Sequence, residues 1–218
     1  MRIHLKLTAS NTIVPFSYQP NLVGAFHKWL GPNAEHDQLS LYSLSWLSDA
    51  KVLAKGLRFR NGTTWFISSP DINLIKRVLS GIQQDPAVAF GMQVAEVWLQ
   101  EPPRFPETAA FKVVTPVLVK RRGEEGVKHY SYSDDGVDDL LTETMRNKLK
   151  RMGMEDKEVS VRFDRTYATP KQKVVEYKGV RNKANVCPVI ISGDREAVAF
   201  AWEVGVGNCT GIGFGALQ

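Results

Sequence analysis

Near its carboxy end the chain reads Gly205-Val206-Gly207-Asn208-Cys209-Thr210-Gly211-Ile212-Gly213-Phe214-Gly215, so five of its 17 glycines crowd into one short run at odd positions. From Gly211 onward glycine alternates with Ile212, Phe214 and Ala216. Successive side chains on a strand point to opposite sides, so this alternation predicts a last strand over 211–217 with one apolar face and one bare face. The apolar side chains would enter a core, while unshielded backbone N–H groups opposite them would admit a large anionic ligand. Neither common nucleotide motif fits: G-x-G-x-x-G would need glycine where Thr210 stands, and no G-x-x-x-x-G-K-[ST] occurs. The competing reading is a glycine-rich hairpin that merely closes the fold.

A chain of 218 residues can form one large domain or two small ones, and either buries a core without disulfide staples. Its 28 Lys+Arg against 23 Asp+Glu give a formal net charge of +5, which suits a polyanionic partner without requiring one. Cys187 and Cys209 are the two cysteines and show no C-x-x-C spacing, so neither a disulfide framework nor a zinc site is indicated; no metal and no cofactor is expected. The first residues already alternate as a strand, and no apolar run approaches the roughly 20 residues of a membrane span. A cytoplasmic protein without a membrane partner is expected.

The order of elements repeats. After a strand over 1–8, apolar residues at 22, 23, 26, 29 and 30 have helical spacing, with Asn21 as N-cap and Gly31-Pro32 as a stop. A strand over 39–47 follows, then strands over 56–60 and 64–68 joined as a hairpin by Asn61-Gly62. Asp71 opens a second helix through 82, and a bent strand over 87–100 returns. Pro102, Pro103 and Pro106 then interrupt the chain as a linker over 101–107. The second half reads as a strand over 111–120, a basic loop over 121–128, a helix from Asp138 or Asp139 to about 152, strands over 159–166, 173–178 and 186–192, a short helix capped by Asp194, and the glycine strand. Each half is β-α-β-β-α-β, so the expected fold is α+β with two tandem ferredoxin-like (RRM-like) domains, 1–107 and 108–218.

Net charge hardly differs between these halves, but cations cluster locally. Lys120, Arg121 and Arg122 stand together, and Arg146, Lys148, Lys150 and Arg151 follow on one helix, with Arg162, Arg165, Lys171 and Lys173 beyond. A solvated helix face and a phosphate footprint both fit such a cluster.

Two ferredoxin-like units in a basic chain, with Glu203-Val204-Gly205-Val206-Gly207 followed by Gly211-Ile212-Gly213-Phe214-Gly215, resemble the CRISPR-associated endoribonucleases of the RAMP superfamily, which cut precursor CRISPR RNA within its repeats. Residues 22–30 look like that family's first helix, and Glu35-His36-Asp37 before Leu41-Tyr42-Ser43 looks like its histidine loop. The resemblance spans the whole chain. It implies metal-independent attack of a ribose 2′-hydroxyl on the adjacent phosphate, leaving 2′,3′-cyclic phosphate and 5′-hydroxyl ends. Such a reaction needs a proton acceptor, a proton donor and a stabiliser for the phosphorane. The resemblance gives His36 the catalytic position and makes a His27/His36 acid–base couple the expectation, imidazole being suited to both proton transfers near neutral pH. His4 and His129 fit no motif and read as structural.

Well-studied members carry a lysine a few residues after the histidine, whereas Asp37-Gln38-Leu39-Ser40 supplies none here. Lys28, Lys51 or the loop backbone are the candidates to replace it. Gly205, Gly207, Gly211, Gly213 and Gly215, with Arg146, Lys148, Lys150 and Arg151, are the expected RNA contacts. CRISPR repeat RNA is the expected partner, and effector-complex subunits and a second copy of the chain are further partners the resemblance allows. The alternative it leaves open is a catalytically inactive repeat-RNA-binding subunit of a CRISPR effector complex.

Overall fold

The computed structural model describes residues 1–32, 39–124 and 126–218. Alternation in β1 (Arg2–Leu7) buries Ile3, Leu5 and Leu7 on one face and turns Arg2, His4 and Lys6 to the other. Against the apolar face lies α1 (Gln19–Leu30), which buries Leu22, Phe26, Trp29 and Leu30, a stripe at helical spacing. It begins two residues before the expected Asn21 cap, with Pro20 in its first turn. The chain continues through β2 (Ser43–Leu44), β3 (Lys51–Leu53), β4 (Gly56–Arg58), β5 (Thr63–Ser68), α2 (Ile72–Gln84) and β6 (Val94–Gln100). Asp71 caps α2 as expected, its carboxylate accepting from the Asn73 N–H at 2.8 Å. The sheet order β2-β5-β1-β6, all antiparallel, is the ferredoxin-like arrangement with β3–β4 as an inserted hairpin.

Three local expectations change here. β4 does not pair with β5; it pairs with β3, because Trp65 and Ile67 draw β5 into the middle of the sheet between β1 and β2. The strand expected over 39–47 shrinks to two residues. The one expected over 87–100 is broken by Phe90 and Gly91, both at positive φ, so pairing with β1 starts only at Val94.

The second half contains β7 (Thr108–Phe111), β8 (Lys120–Gly123), β9 (Gly126–His129), α3 (Val137–Arg151), β10 (Val159–Phe163), β11 (Lys171–Tyr177), β12 (Val180–Val186), β13 (Val189–Gly193) and α4 (Arg195–Val204). Its sheet runs β10-β13-β7, and the chain end adds an irregular fourth position: Val114 N–H donates to Ala216 O and Gln218 N–H to Lys112 O, both at 2.9 Å. The same topology therefore occurs twice. The expected basic loop over 121–128 is the β8–β9 hairpin. The expected strand over 111–120 ends at Phe111, and β11–β12 is a second inserted hairpin whose return strand the sequence reading lacks. Asp194 precedes α4, yet its carboxylate accepts from the Glu158 N–H of the neighbouring strand end rather than from its own helix. Among the described residues no helix is long and apolar enough to cross a membrane.

Candidate nucleic-acid interface

The glycine run is not a strand. Thr210–Ile212 forms a 3₁₀ turn between Cys209 and Gly213, both left-handed, and Gly205, Gly207, Gly211, Gly213 and Gly215 are all buried. Gly215 has a φ of 62° and its missing Cβ would run into the carbonyl of Val206; Gly213, at φ 88°, lies 3.3 Å from Trp46 Nε1 at its missing Cβ. These two positions need glycine for conformation and close approach. The bare strand face expected from the alternation is thereby corrected: the run folds back on itself, with Val206 N–H donating to Gly215 O, and presses on Ser40, Tyr42 and Trp46 of the first half.

What holds the run is the end of α4. A helix leaves its last carbonyls without helical donors, at the negative end of its dipole. Here Trp202 O accepts from the Arg2 guanidinium at 3.1 Å, Glu203 O from Ser43 Oγ at 2.8 Å, and Val204 O and Gly205 O from Lys148 Nζ at 3.0 and 3.1 Å. Lys148 Nζ also donates to Thr210 Oγ1, which donates to Tyr42 O. Arg2 is sandwiched between the rings of Phe66 and Trp202. Burial pulls the Lys148 ammonium down to about 7 and the Arg2 guanidinium down to about 9.

Lys148 was expected on the RNA-facing surface and is instead 1 % exposed. The reason is positional: with Leu141, Met145 and Leu149 it occupies the inward stripe of α3. Arg146, Lys150 and Arg151 remain exposed on that helix. Arg146 and Lys150 border a 660 Å³ cleft shared with Glu155, Asp156 and Glu158, whose carboxylates offset the positive field there.

His27 is half-buried on the last turn of α1, edge-on to Phe26, whose ring packs on Tyr42 at 4.7 Å. The same helix touches the 3₁₀ turn. His36 lies outside the described residues, between the end of α1 and β2. Lys28 is committed elsewhere: its ammonium donates to Asp85 Oδ2 at 2.8 Å and Ala87 O at 2.6 Å, and this contact holds the Asp85 carboxyl below its ordinary range. Lys51 on β3 stands directly opposite Arg58 on β4, beside a 440 Å³ cleft that Arg60, Lys6 and Asp49 also line. His4 is stacked on Trp98 and shares a 2.7 Å hydrogen bond with Gln100, a structural setting in which burial lowers its pKa.

The expected strand over 173–178 is the first arm of the β11–β12 hairpin, whose return arm with Arg181 and Lys183 was not expected. Lys171, Lys173, Lys178, Arg181 and Lys183 are all exposed on it, against Glu176 as its single acid, and none joins an ion pair among the described residues. Its root is fixed by Val175 and Ala184, packed with Leu118 and Phe214 of the glycine run. The Lys173 ammonium sits 4.8 Å over the ring of Trp46, which in turn donates to Gly213 O at 2.8 Å. The overlooked signal was the Lys178-Gly179 dipeptide, a positive-φ pair that reverses the strand.

Two ferredoxin-like halves, closed by a buried glycine turn and edged by a basic hairpin, place the chain among tandem ferredoxin-like proteins. Residues 99–218, more than half of the chain, match the family described as CRISPR associated protein Cas6, C-terminal. The chain belongs to this CRISPR-associated Cas6 family. It is 22 % identical over 238 residues to the CRISPR-associated endoribonuclease Cas6 1 of Methanocaldococcus jannaschii, covering all of this chain and 92 % of the relative. Among solved structures it resembles a Cas6-related protein from Pyrococcus furiosus, with a TM-score of 0.85 at 20 % identity, covering 100 % of this chain and 97 % of the other. A second, described as a RAMP protein binding different RNA substrates, has a TM-score of 0.80 at 18 % identity, covering 100 % and 98 %.

Proposed function

We propose that this protein binds CRISPR repeat RNA and cleaves it by attack of a ribose 2′-hydroxyl on the neighbouring phosphate, without a metal ion. The observation that carries the RNA half of this reading is the β11–β12 hairpin, whose exposed cations join no ion pair among the described residues and are rooted on the glycine turn that also meets α1, the helix that carries His27. Each cation that neutralises a phosphate releases counterions, so such a hairpin grips RNA without reading its bases. In this reading His36 and His27 exchange protons with the 2′-hydroxyl and the 5′-oxygen. Lys51 with Arg58 and Arg60, rather than the engaged Lys28, is the better placed cation group to steady a phosphate on the first half. The glycines act by shaping the turn, and Arg146, Lys150 and Arg151 form an outer, weaker part of the footprint.

Incubation with the repeat RNA of the host's own CRISPR array in EDTA should give 2′,3′-cyclic phosphate and 5′-hydroxyl ends, and a 2′-deoxy substitution just upstream of the cut should stop it. His36→Ala should slow single-turnover cleavage by roughly 10²–10⁴ with RNA affinity nearly unchanged. His27→Ala should cost as much, and the double variant little more. Tight binding by wild-type protein that leaves several repeat RNAs uncut would replace the enzyme by an RNA-holding effector subunit, a reading the missing lysine after His36 favours.

A further inference from the structure

Between the β3–β4 and β11–β12 hairpins runs an open groove of about 700 Å³. Its lining leaves large apolar side chains in solvent: Phe16 is 54 % exposed, Val52 70 % and Val174 55 %. Half-buried Trp46 lines it too, next to the glycine turn. Cations flank this apolar floor on both sides, with Lys55 on the first hairpin and Lys173 on the second reaching the groove itself; Glu176 is the acid among its lining residues. Lys171 stands further along the second hairpin.

Apolar side chains grouped in solvent mark a surface that something covers. The groove's apolar side chains in solvent are few, Phe16, Val52 and Val174 beside half-buried Trp46, a poor match for the continuous apolar stripe of a docking helix. Rings and methyl groups with an ammonium group on each rim instead match a single-stranded nucleic acid, whose bases stack on the floor while its phosphates follow the rims. A duplex has its base faces already stacked and offers mainly its backbone and minor groove. We propose that this groove holds unpaired nucleotides of an RNA strand, with Phe16 as a stacking platform and Lys55 and Lys173 as phosphate contacts, the latter over the ring of Trp46. The inference rests on the RNA reading above and adds to it where the strand lies and that it is unpaired. Trp46, bonded to Gly213 O, joins the groove to the glycine turn, so a strand leaving one meets the other.

The test is anisotropy of labelled repeat RNA, alone and annealed to its complement, with wild type, Phe16→Ala, Val174→Ser and Lys55→Ala/Lys173→Ala. The substituted side chains are exposed, so melting curves should stay near wild type and serve as the folding check. Phe16→Ala should weaken single-strand binding about tenfold or more, consistent with the stacking of one base, and leave duplex binding unchanged. Unchanged single-strand affinity in folded Phe16→Ala, or equal losses on both RNAs, overturns the groove alone. Groove variants that keep RNA affinity but lose an effector subunit overturn the RNA assignment in favour of a protein occupant. Wild-type protein that binds neither RNA overturns the functional reading along with the groove.

Discussion

Lys148 and the cations of the β11–β12 hairpin are similar residues in opposite surroundings. The Lys148 ammonium is enclosed by Val204 O, Gly205 O and Thr210 Oγ1, with Cys209 the titratable neighbour that acts on its charge, whereas Lys178, Arg181 and Lys183 stand in water and join no ion pair among the described residues, Arg181 lying opposite Glu176 across the hairpin. One set secures the end of α4 and the glycine turn; the other meets RNA phosphates under the proposed function. Local density of Lys and Arg in the sequence does not separate these roles, since Lys148 lies in the denser run. Periodicity does. Lys148 falls on the stripe of Leu141 and Met145, while the hairpin cations fall on a short ribbon with few residues to cover them.

The comparison breaks first where the buried region is disturbed. Gly215→Ala should produce the largest effect, because the added methyl meets the Val206 carbonyl in a backbone already at φ 62°. A loss of about 3 kcal/mol or more, read as a melting point lowered by roughly 10 °C, is expected together with lost RNA binding. A variant that melts like wild type yet no longer binds RNA would return the glycines to direct contact with the ligand.

The hairpin should behave the other way. Lys178→Ala, Arg181→Ala and Lys183→Ala combined should leave the melting point within about 2 °C while making the plot of log K against log salt shallower by about 2, the single-strand value of about 0.7 per phosphate taken three times. An unchanged slope would move the RNA footprint off β11–β12.

Lys148→Met offers a pH signature that the exposed cations lack. Its folded pKa of about 7 lies below the ordinary lysine value, so from about pH 7 up to the unfolded pKa near 10.5 the unfolded chain binds the extra proton and wild-type stability gains with rising pH. Denaturant midpoints at pH 6.5 and 9 should therefore diverge between wild type and Lys148→Met, with the gain confined to wild type. The variant should be the less stable at both values, because Val204 O and Gly205 O lose their donor, at about 1–3 kcal/mol for a buried acceptor. Parallel pH profiles would show that Lys148 stays charged in the fold.

Much of the architecture was legible before any coordinates. Ile3, Leu5 and Leu7 alternate unambiguously, the spacing of Leu22, Phe26, Trp29 and Leu30 admits only a helix, and the doubled element order follows from such segments. The glycine run was misread because alternation by itself cannot tell a strand from a chain reversing at every second residue, once the residue in question has no Cβ to declare a face. β12 was missed because Val180, Asn182, Ala184 and Val186 are a weakly apolar series whose support is the Phe214 cluster, distant in sequence. Of the candidate site, the halves' shared seam was invisible for the same reason: Arg2, Ser43, Lys148 and Thr210 meet only through long-range packing. Trp46 carried no motif at all.

The smallest predicted effect is the sharpest, because it opposes the usual direction. Lys51 and Arg58 are direct cross-strand partners in the β3–β4 hairpin, and like charges so placed destabilise a ribbon by a few tenths of a kcal/mol. Fold stability alone gives no reason for the pair. Arg60, Lys6 and Asp49 line the same cleft, and Lys6 is already balanced by Glu96, so the excess positive charge belongs to Lys51, Arg58 and Arg60 against the single carboxylate of Asp49. If that charge serves a phosphate, Lys51→Ala should raise the melting point slightly, by about 1 °C, while weakening RNA binding a few-fold and lowering the salt slope by about 0.7. Lys51→Glu should stabilise the hairpin further through Arg58 and weaken RNA binding more. A gain in stability with no change in salt dependence would leave the Lys51–Arg58 pair outside the RNA path and confine the exposed half of the comparison to β11–β12.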